Sequence, residues 1–295
     1  MKMKIIDAHI HLSRIASFQH TADHKSFVTY TSEGLKREFD ECGVVLGIGM
    51  GVTEQTDGAF PDYTSPNPMP LDLEDELPDF LLECVGINPN LLINDRAERE
   101  IQAIELALQK PTTAGIKLYA GYYPYYVYDK VYGPIYELAA QYKVPVVIHT
   151  GDTYSPRGLL KYSHPLTVDE LAVANRNVNF MICHIGDPWV MDGAEVISKN
   201  DNVFGDISGL QVGNQVLFNK FQNEPLYMDH LRRSLVFADR YDKILFGTDW
   251  PLAPIDVYIN FVKMLVPEQH YEDVFYNNAF RVFPKVQERL GKNNA

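Results

Sequence analysis

The chain has 295 residues, a formal net charge of −13, a hydrophobic fraction of 46% and three cysteines. This acidic balance, without any basic run, argues against nucleic acid or an anionic membrane surface as a partner. Residues 1–4 lead directly into an apolar run and leave no room for a signal peptide, and no apolar stretch reaches the roughly 20 residues of a membrane span. Because the cysteines form no framework, we expect a soluble cytoplasmic protein.

Eight short, almost entirely apolar runs alternate with amphipathic stretches. The predicted strands are residues 4–9, 44–49, 82–88, 115–119, 144–149, 179–184, 203–207 and 243–248. The predicted helices include residues 96–109, 131–142, 167–175, 187–199 and 226–240. Eight such repeats in about 250–300 residues favour a (β/α)8 TIM barrel over an open sheet. No GxGxxG follows a strand, so a dinucleotide-binding fold has no support.

Residues 268–290 predict an extra C-terminal helix packed on the barrel. The chain has no composition break, internal repeat or low-complexity tract. We therefore expect one domain spanning residues 1–295. A long acidic loop at 49–79 is typical either of a lid over a barrel mouth or of a solvated helix face.

The first predicted strand ends in Asp7-Ala8-His9-Ile10-His11. Side chains alternate faces along a strand, so His9 and His11 point the same way. Two imidazoles presented from one strand are half of a metal site, and imidazole suits zinc, iron or nickel. Asp7 shares their face and either orients them or bonds to backbone at the barrel floor.

Three more metal-competent residues, His149, His184 and Asp249, lie at the ends of the fifth, sixth and eighth predicted strands. A single histidine in such a place is more often a hydrogen-bonded core residue. Barrel active sites, however, are built at the carboxyl ends of the strands, and five such residues share that rim. The pattern predicts a metalloenzyme.

The ordered set resembles the amidohydrolase superfamily, in the amidohydrolase-2 branch that includes aminocarboxymuconate-semialdehyde decarboxylase. The resemblance is carried by Asp7-x-His9-x-His11, His149-Thr150-Gly151, Cys183-His184-Ile185-Gly186, Phe246-Gly-Thr-Asp249-Trp-Pro251 and Asn277-Asn278-Ala279-x-Arg281-x-Phe283. It implies one divalent ion, Zn²⁺ with Mn²⁺ or Fe²⁺ as alternatives, held by His9, His11, His149 and Asp249. It also implies that His184 stands beside the ion as an acid/base group.

The chemistry of these residues agrees with this assignment of metal ligands and an acid/base group. A divalent ion lowers the pKa of a bound water from 15.7 toward roughly 7. Asp249 can ligate with one oxygen and accept a proton with the other. The His184 imidazole can donate to a substrate oxygen or orient the water.

Lys117, in Gly115-Ile-Lys117-Leu-Tyr119, ends the fourth predicted strand and has two readings. It can hold a substrate carboxylate as a point charge. Alternatively, as in some binuclear amidohydrolases, a carboxylated Lys117 would bridge two ions, with His149 and His184 on the second. The resemblance favours the first reading, because the amidohydrolase-2 branch usually works with one ion.

Other residues complete the predicted site. Tyr122 belongs to a run of tyrosines at 120–128 that suits either a pocket wall or a subunit interface. Arg157 is a candidate for binding a substrate carboxylate, and Trp189 is a candidate for stacking on the substrate. Arg157 fits a surface position equally well. Asp206, at the end of the seventh predicted strand, is either structural or catalytic. Cys183 neighbours His184 and is expected to face the helices as a buried thiol.

We therefore predict a metal-dependent hydrolase that uses a metal-activated water to open an ester, lactone or amide bond in a small molecule, and we expect this substrate to be a carboxylate. The first alternative is a non-oxidative decarboxylase of an unsaturated or aromatic carboxylate, because the same fold can support both activities. The second is a metal-binding barrel without turnover, which the presence of both His184 and Asp249 disfavours. Barrels of this kind often dimerise, which predicts a homodimer.

Overall fold

The computed structural model describes residues 3–13, 15–51, 77–93 and 95–291. Within them, eight strands form one parallel sheet in sequential order. The strands are β1 Ile5–Ile10, β2 Val44–Met50, β3 Leu81–Gly86, β4 Thr113–Leu118, β5 Val146–Ile148, β6 Phe180–Ile182, β7 Val203–Asp206 and β8 Ile244–Leu245. Each corresponds to a predicted strand, with its ends moved by a few residues.

The backbone that follows β8 returns to β1 and closes the barrel. The Ala8 N–H donates to the Phe246 carbonyl at 2.9 Å, and Ile10 forms a parallel bridge with Trp250. The predicted TIM barrel is confirmed. Phe246 and Trp250 come directly after β8 in the chain, and they lie against the end of β1 that carries His9 and His11.

Helices alternate with the strands around the sheet. They are α1 Ala16–Thr21, α2 Ser32–Cys42, α3 Ala97–Leu108, α4 Gly133–Tyr142, α5 Leu160–Ser163, α6 Leu166–Ala174, α7 Val190–Lys199, α8 Gln215–Gln222, α9 Pro225–Ala238, α10 Ile255–Leu265, α11 Asn278–Val282 and α12 Pro284–Gly291. Their apolar stripes face the sheet: in α7, for example, Val190, Ala194 and Ile197 are buried at helical spacing.

Local signals set the ends of α2. The hydroxyl of Thr31 accepts the Gly34 N–H at 3.0 Å, which satisfies one of the first free donors of the helix. The helix ends at Gly43, whose φ of 81° is the left-handed conformation that favours glycine. This cap turns the chain directly into β2.

Alternating strand residues build two apolar layers. Leu46, Ile48 and Met181 belong to the cluster inside the barrel, whereas Val146 and Ile148 belong to the layer under the helices. Strands buried on both faces read as continuous apolar runs, which is why the sequence pattern was informative.

The predicted C-terminal helix is present as α11 and α12, after a π-helical turn at Asp273–Asn277. The Asn278 side-chain amide donates to the Ile244 carbonyl at 2.7 Å, at the amino end of β8. Phe283 and Val286 then join the cluster inside the barrel. This segment therefore covers the amino end of the barrel, opposite the rim that carries the predicted site.

Two sequence expectations meet the limits of the described residues. The predicted lid at 49–79 lies mostly outside them, because residues 52–76 are not described. Among the residues that are described, none of the helices is long and apolar enough to span a bilayer.

Candidate active site

The carboxyl ends of β1 and β8 bring two histidines and an aspartate together. His9 lies near the end of β1 and His11 just beyond it, while the Asp249 N–H donates to the His9 carbonyl at 2.8 Å. The Asp7 carboxylate accepts the N–H of Thr248 at 3.0 Å and its hydroxyl at 2.6 Å. Asp7 thus ties β1 to the segment that carries Asp249, which agrees with an orienting role.

His9, His11 and Asp249 form a three-residue cluster whose ligand atoms all lie within 4.8 Å of one another. The Oδ1 atom of Asp249 lies 3.0 Å from His11 Nε2 and 3.5 Å from His9 Nε2. His9 Nε2 and Asp249 Oδ1 are both buried and have no hydrogen-bond partner among the described residues. Such orphaned atoms are costly unless a cation or water satisfies them, so this donor set fits a divalent metal.

Burial keeps the imidazoles of His9 and His149 neutral, as metal ligands must be. Burial, helped by the nearby Lys117 charge, lowers the pKa of His9 from 6.5 to about 4. Burial likewise holds the pKa of His149 well below its ordinary value. For Asp249, burial alone would raise the pKa, but its contacts with His9 and His11 outweigh burial and hold the pKa low. At neutral pH the site therefore offers neutral nitrogens at His9 and His149 and an ionised carboxylate at Asp249.

Asp206 lies behind the cluster and contacts both sides of the site. Its Oδ2 lies 2.9 Å from His9 Nδ1, and its Oδ1 accepts the backbone N–H groups of His184 at 2.9 Å and Ser208 at 3.0 Å. Since an ionised carboxylate only accepts, His9 Nδ1 carries the proton and Nε2 keeps its lone pair for a cation.

Replacing Asp206 by asparagine is expected to lower metal affinity by roughly 10–100-fold, the effect typical of groups that orient a metal ligand. In one orientation the NH2 group of the introduced amide would face the His9 Nδ1–H. In the other orientation it would face the backbone N–H groups of His184 and Ser208, so a donor meets a donor in both. The affinity is measured by competition with a chelator, with Asp169→Asn on the protein surface as control. Equal affinities of the two variants would contradict this role of Asp206.

His184 follows β6 with a left-handed φ of 59°, which turns its ring toward the cluster. The centre of its ring lies 5.1 Å from that of His9 and 5.1 Å from that of His149. Its Nδ1 lies 2.9 Å from the Ser208 carbonyl, which only accepts, so Nδ1 donates and Nε2 keeps a lone pair. This tautomer suits a group that takes up a proton at Nε2.

His149 lies in the same cavity but outside the three-residue cluster. Its Nε2 lies 2.9 Å from the Asp152 carbonyl, so Nε2 donates and Nδ1 is the nitrogen left for a ligand. The Tyr122 ring packs edge-on at 5.1 Å between ring centres. The predicted role of His149 as a metal ligand stays a prediction, now assigned to Nδ1.

Lys117 is fully buried, and its Nζ lies 2.9 Å from Cys183 Sγ. The expectation that Cys183 faces the helices is therefore wrong, because its thiol points into the barrel interior. Cys183 continues the alternation of β6, with Met181 and Cys183 inside the barrel and Ile182 under the helices. The prediction took His184 as the inward residue of this alternation, but at His184 φ becomes positive and the backbone is no longer extended. Both readings of Lys117, substrate contact and carboxylated bridge, stay predictions.

A cavity of about 350 Å³ opens over these residues. Its aromatic lining consists of Phe18, Tyr119, Tyr122 and Tyr154, and its aliphatic lining includes Leu210, Val212 and Leu252. His9, His11, Lys117, His149, His184 and Asp249 also line it. The structure thus brings the predicted metal, acid/base and Lys117 residues, together with Tyr122, to one cavity of small-molecule size.

Arg157 and Trp189 do not line this cavity. Arg157 is exposed, and its backbone N–H donates to the Ser155 hydroxyl at 3.3 Å. Trp189 is half-buried, with its ring centre 4.8 Å from that of His164. Their predicted contacts with substrate stay predictions without a supporting contact among the described residues.

Gly209 lets the backbone pack closely against Asp249 and His184. A Cβ at this position would lie 2.6 Å from Asp249 Oδ2 and 2.8 Å from His184 Nδ1, and the backbone φ is 63°. Neither a side chain nor an ordinary L-residue conformation is easily accommodated here. Oδ2 of Asp249 and the His184 ring thus both lie against the Gly209 backbone, and all three residues line the cavity.

Gly209→Ala is expected to lower metal affinity and to destabilise the fold by about 1–2 kcal/mol, the usual cost of a left-handed non-glycine residue. The added methyl would also push the Asp249 carboxylate from its position. Chelator competition and thermal unfolding measure the two effects. Gly133→Ala, where nothing lies within 4 Å of the added Cβ, is the matched control; it should leave metal affinity unchanged and should not destabilise the fold.

Sequence reasoning missed Ser208, Gly209 and the inward thiol of Cys183. The signal for Ser208 was present, because it follows Asp206 at the same-face spacing of two. The signal for Cys183 was also present, since it follows Met181 at the same spacing. Gly209 carried no such signal, because its position depends on backbone that has already left the strand.

An eight-stranded parallel barrel with histidines and an aspartate gathered at its carboxyl end is a TIM barrel with a cluster suited to a divalent cation. The chain matches the amidohydrolase family model over residues 6–285. It belongs to this family, whose members are enzymes.

Several solved structures share the fold. A TIM-barrel protein from Bordetella bronchiseptica is 18% identical, with a TM-score of 0.67 over 96% of this chain and 99% of that one. A dihydroxybenzoic acid decarboxylase from Polaromonas sp. JS666, with bound manganese and an inhibitor, is 14% identical, with a TM-score of 0.61 over 98% and 99%. A probable 2-pyrone-4,6-dicarboxylic acid hydrolase from Acinetobacter baumannii is 13% identical, with a TM-score of 0.59 over 96% and 100%. No curated protein matches this chain.

Proposed function

We propose that this protein is a metal-dependent hydrolase that cleaves an ester, lactone or amide bond in a small carboxylate. The observation that carries the proposal is that the two oxygens of the Asp249 carboxylate have different neighbours. Its Oδ1 lies against His9 and His11, while its Oδ2 lies beside Gly209 and the His184 ring at the cavity. Hydrolysis needs this combination of a ligand oxygen, a proton acceptor and a neighbouring imidazole.

In this proposal His9, His11 and Asp249 hold one divalent ion, with His149 Nδ1 as a fourth ligand. Zn²⁺ suits the histidine-rich set, and Mn²⁺ and Fe²⁺ are the alternatives. When bound, such an ion supplies Lewis acidity and lowers the pKa of a water at the site. The manganese in the Polaromonas decarboxylase is in keeping with a divalent ion on this scaffold.

The chain's own groups then manage protons and substrate. Asp249 Oδ2 accepts a proton from the attacking water, because Oδ1 lies against His9 and His11 and Asp249 lines the cavity. His184 Nε2 takes up this proton from Asp249 and delivers it to the leaving oxygen or nitrogen, and Ser208 and Asp206 hold its ring and backbone in place. The Lys117 ammonium lines the cavity and supplies the positive charge for a substrate carboxylate.

Decarboxylation of an aromatic carboxylate is the second candidate. The aromatic lining by Phe18, Tyr119 and Tyr122 suits a planar ring, and Lys117 suits its carboxylate. The similar structures include a decarboxylase of dihydroxybenzoic acid as well as a hydrolase. The two reactions demand the same cavity and differ in the bond that breaks.

Isotope labelling separates the two reactions. The metal-loaded protein is incubated with monocyclic lactones, esters, amides and hydroxybenzoates, once in H2¹⁸O and once in D2O. Hydrolysis places ¹⁸O in the product carboxylate and releases no carbon dioxide. Release of carbon dioxide, with deuterium on the carbon that lost it, would overturn the hydrolase proposal in favour of decarboxylation.

A further inference from the structure

A second cluster of ligand atoms adjoins the first. Atoms of His9, Cys183 and His184 all lie within 4.8 Å of one another. His9 and Cys183 are fully buried. His9 belongs to both clusters, and its Nε2 has no hydrogen-bond partner among the described residues. The barrel interior therefore offers a sulfur and two imidazoles around one small volume.

Lys117 contacts the sulfur of this cluster. Its Nζ lies 2.9 Å from Cys183 Sγ, deep in the barrel. Burial raises the pKa of the Cys183 thiol well above its ordinary value and the Lys117 charge opposes this effect, so the thiol gives up its proton only when an ion binds. The positive charge of Lys117 also offsets the negative charge that the thiolate would bring into a buried place.

The donor set of the second cluster differs in kind from that of the first. Two histidines and a carboxylate accept a range of divalent ions, including hard ones such as Mn²⁺. Two histidines and a thiolate prefer softer ions such as Zn²⁺ or Cd²⁺. Manganese has little affinity for such sulfur ligands, so the two clusters should discriminate between ions.

We propose that His9, Cys183 and His184 form a second position for a soft divalent ion, and that an ion there inhibits the enzyme. Asp206 holds His9 Nδ1, so His9 has only Nε2 to offer and cannot serve both positions at once. An ion in the second position therefore withdraws His9 from the first and also occupies His184. Its binding releases the thiol proton to solvent and leaves the sulfur as thiolate.

Cadmium titration of the metal-depleted protein tests this position without any substrate. Wild type is expected to develop a near-ultraviolet thiolate-to-cadmium absorption. The control variant Cys84→Ser, which removes a buried thiol outside the cluster, is expected to develop it too. Cys183→Ser is expected to lose it. The same absorption in Cys183→Ser, or none in wild type, would overturn the proposal. A ¹¹³Cd NMR spectrum of wild type, which reports sulfur coordination directly, replaces the variant if Cys183→Ser does not fold.

Inhibition is the second readout. With Mn²⁺-loaded enzyme, excess Zn²⁺ or Cd²⁺ is expected to inhibit wild type at a concentration at least tenfold lower than it inhibits Cys183→Ser. Equal inhibition of both proteins would contradict the inhibitory role, while the optical titration still reports whether the position exists. The optical result does not depend on the reaction catalysed, so it stands apart from the hydrolase proposal.

Discussion

Asp249→Asn is expected to remove both metal binding and turnover. The substitution replaces the ionised carboxylate that contacts His9 and His11 by a neutral amide. It also removes the oxygen proposed to accept a proton from the attacking water. The loss of metal affinity should exceed the roughly 10–100-fold typical of residues behind a ligand. Loss of the proton acceptor alone costs about 10²–10⁴-fold in rate.

Metal content after gel filtration and chelator competition measure the first effect, and the rate with saturating metal measures the second. Asp187→Asn is the control for metal binding, because Asp187 lines the same cavity but belongs to neither ligand cluster. It should retain the ion. If Asp249→Asn bound metal as tightly as wild type, His9 and His11 would need a different third ligand.

His184→Asn is expected to keep the metal of the first position and lose turnover by about 10²–10⁴-fold, the usual contribution of a general acid/base group. Asparagine tolerates the left-handed backbone at this position and can still donate to the Ser208 carbonyl. What disappears is Nε2, the atom proposed to take up and deliver the proton. The fold and the Asp249 cluster should be unchanged.

Metal content and kcat are measured on the same preparation, with His164→Asn as a matched control outside the cavity. The control should match wild type in both. Turnover retained by His184→Asn would remove His184 from the mechanism, whereas loss of the first-position metal would reassign it as a ligand.

The sequence was most informative where burial leaves a simple pattern. All eight strands read as apolar runs because each is covered on both faces, and His9 and His11 could be paired because β1 stays extended between them. The prediction for Cys183 was wrong because it counted the alternation from His184, where φ is positive, whereas Cys183 itself lies inside the barrel with Met181. The tautomers of His9, His149 and His184 were also beyond the sequence, since an acceptor from another segment fixes each one.

The order of the strands, the barrel and the rim residues were determined by the sequence alone, because periodicity and strand-end position are local properties of the chain. Tertiary structure decided what those residues face. The approach of Asp249 to His9 depends on closure between the first and last strands, and the Lys117–Cys183 contact depends on residues 66 positions apart. Such contacts arise from backbone turns at the strand ends, where φ becomes positive at His184, Gly209 and Asp249 and strand periodicity no longer applies.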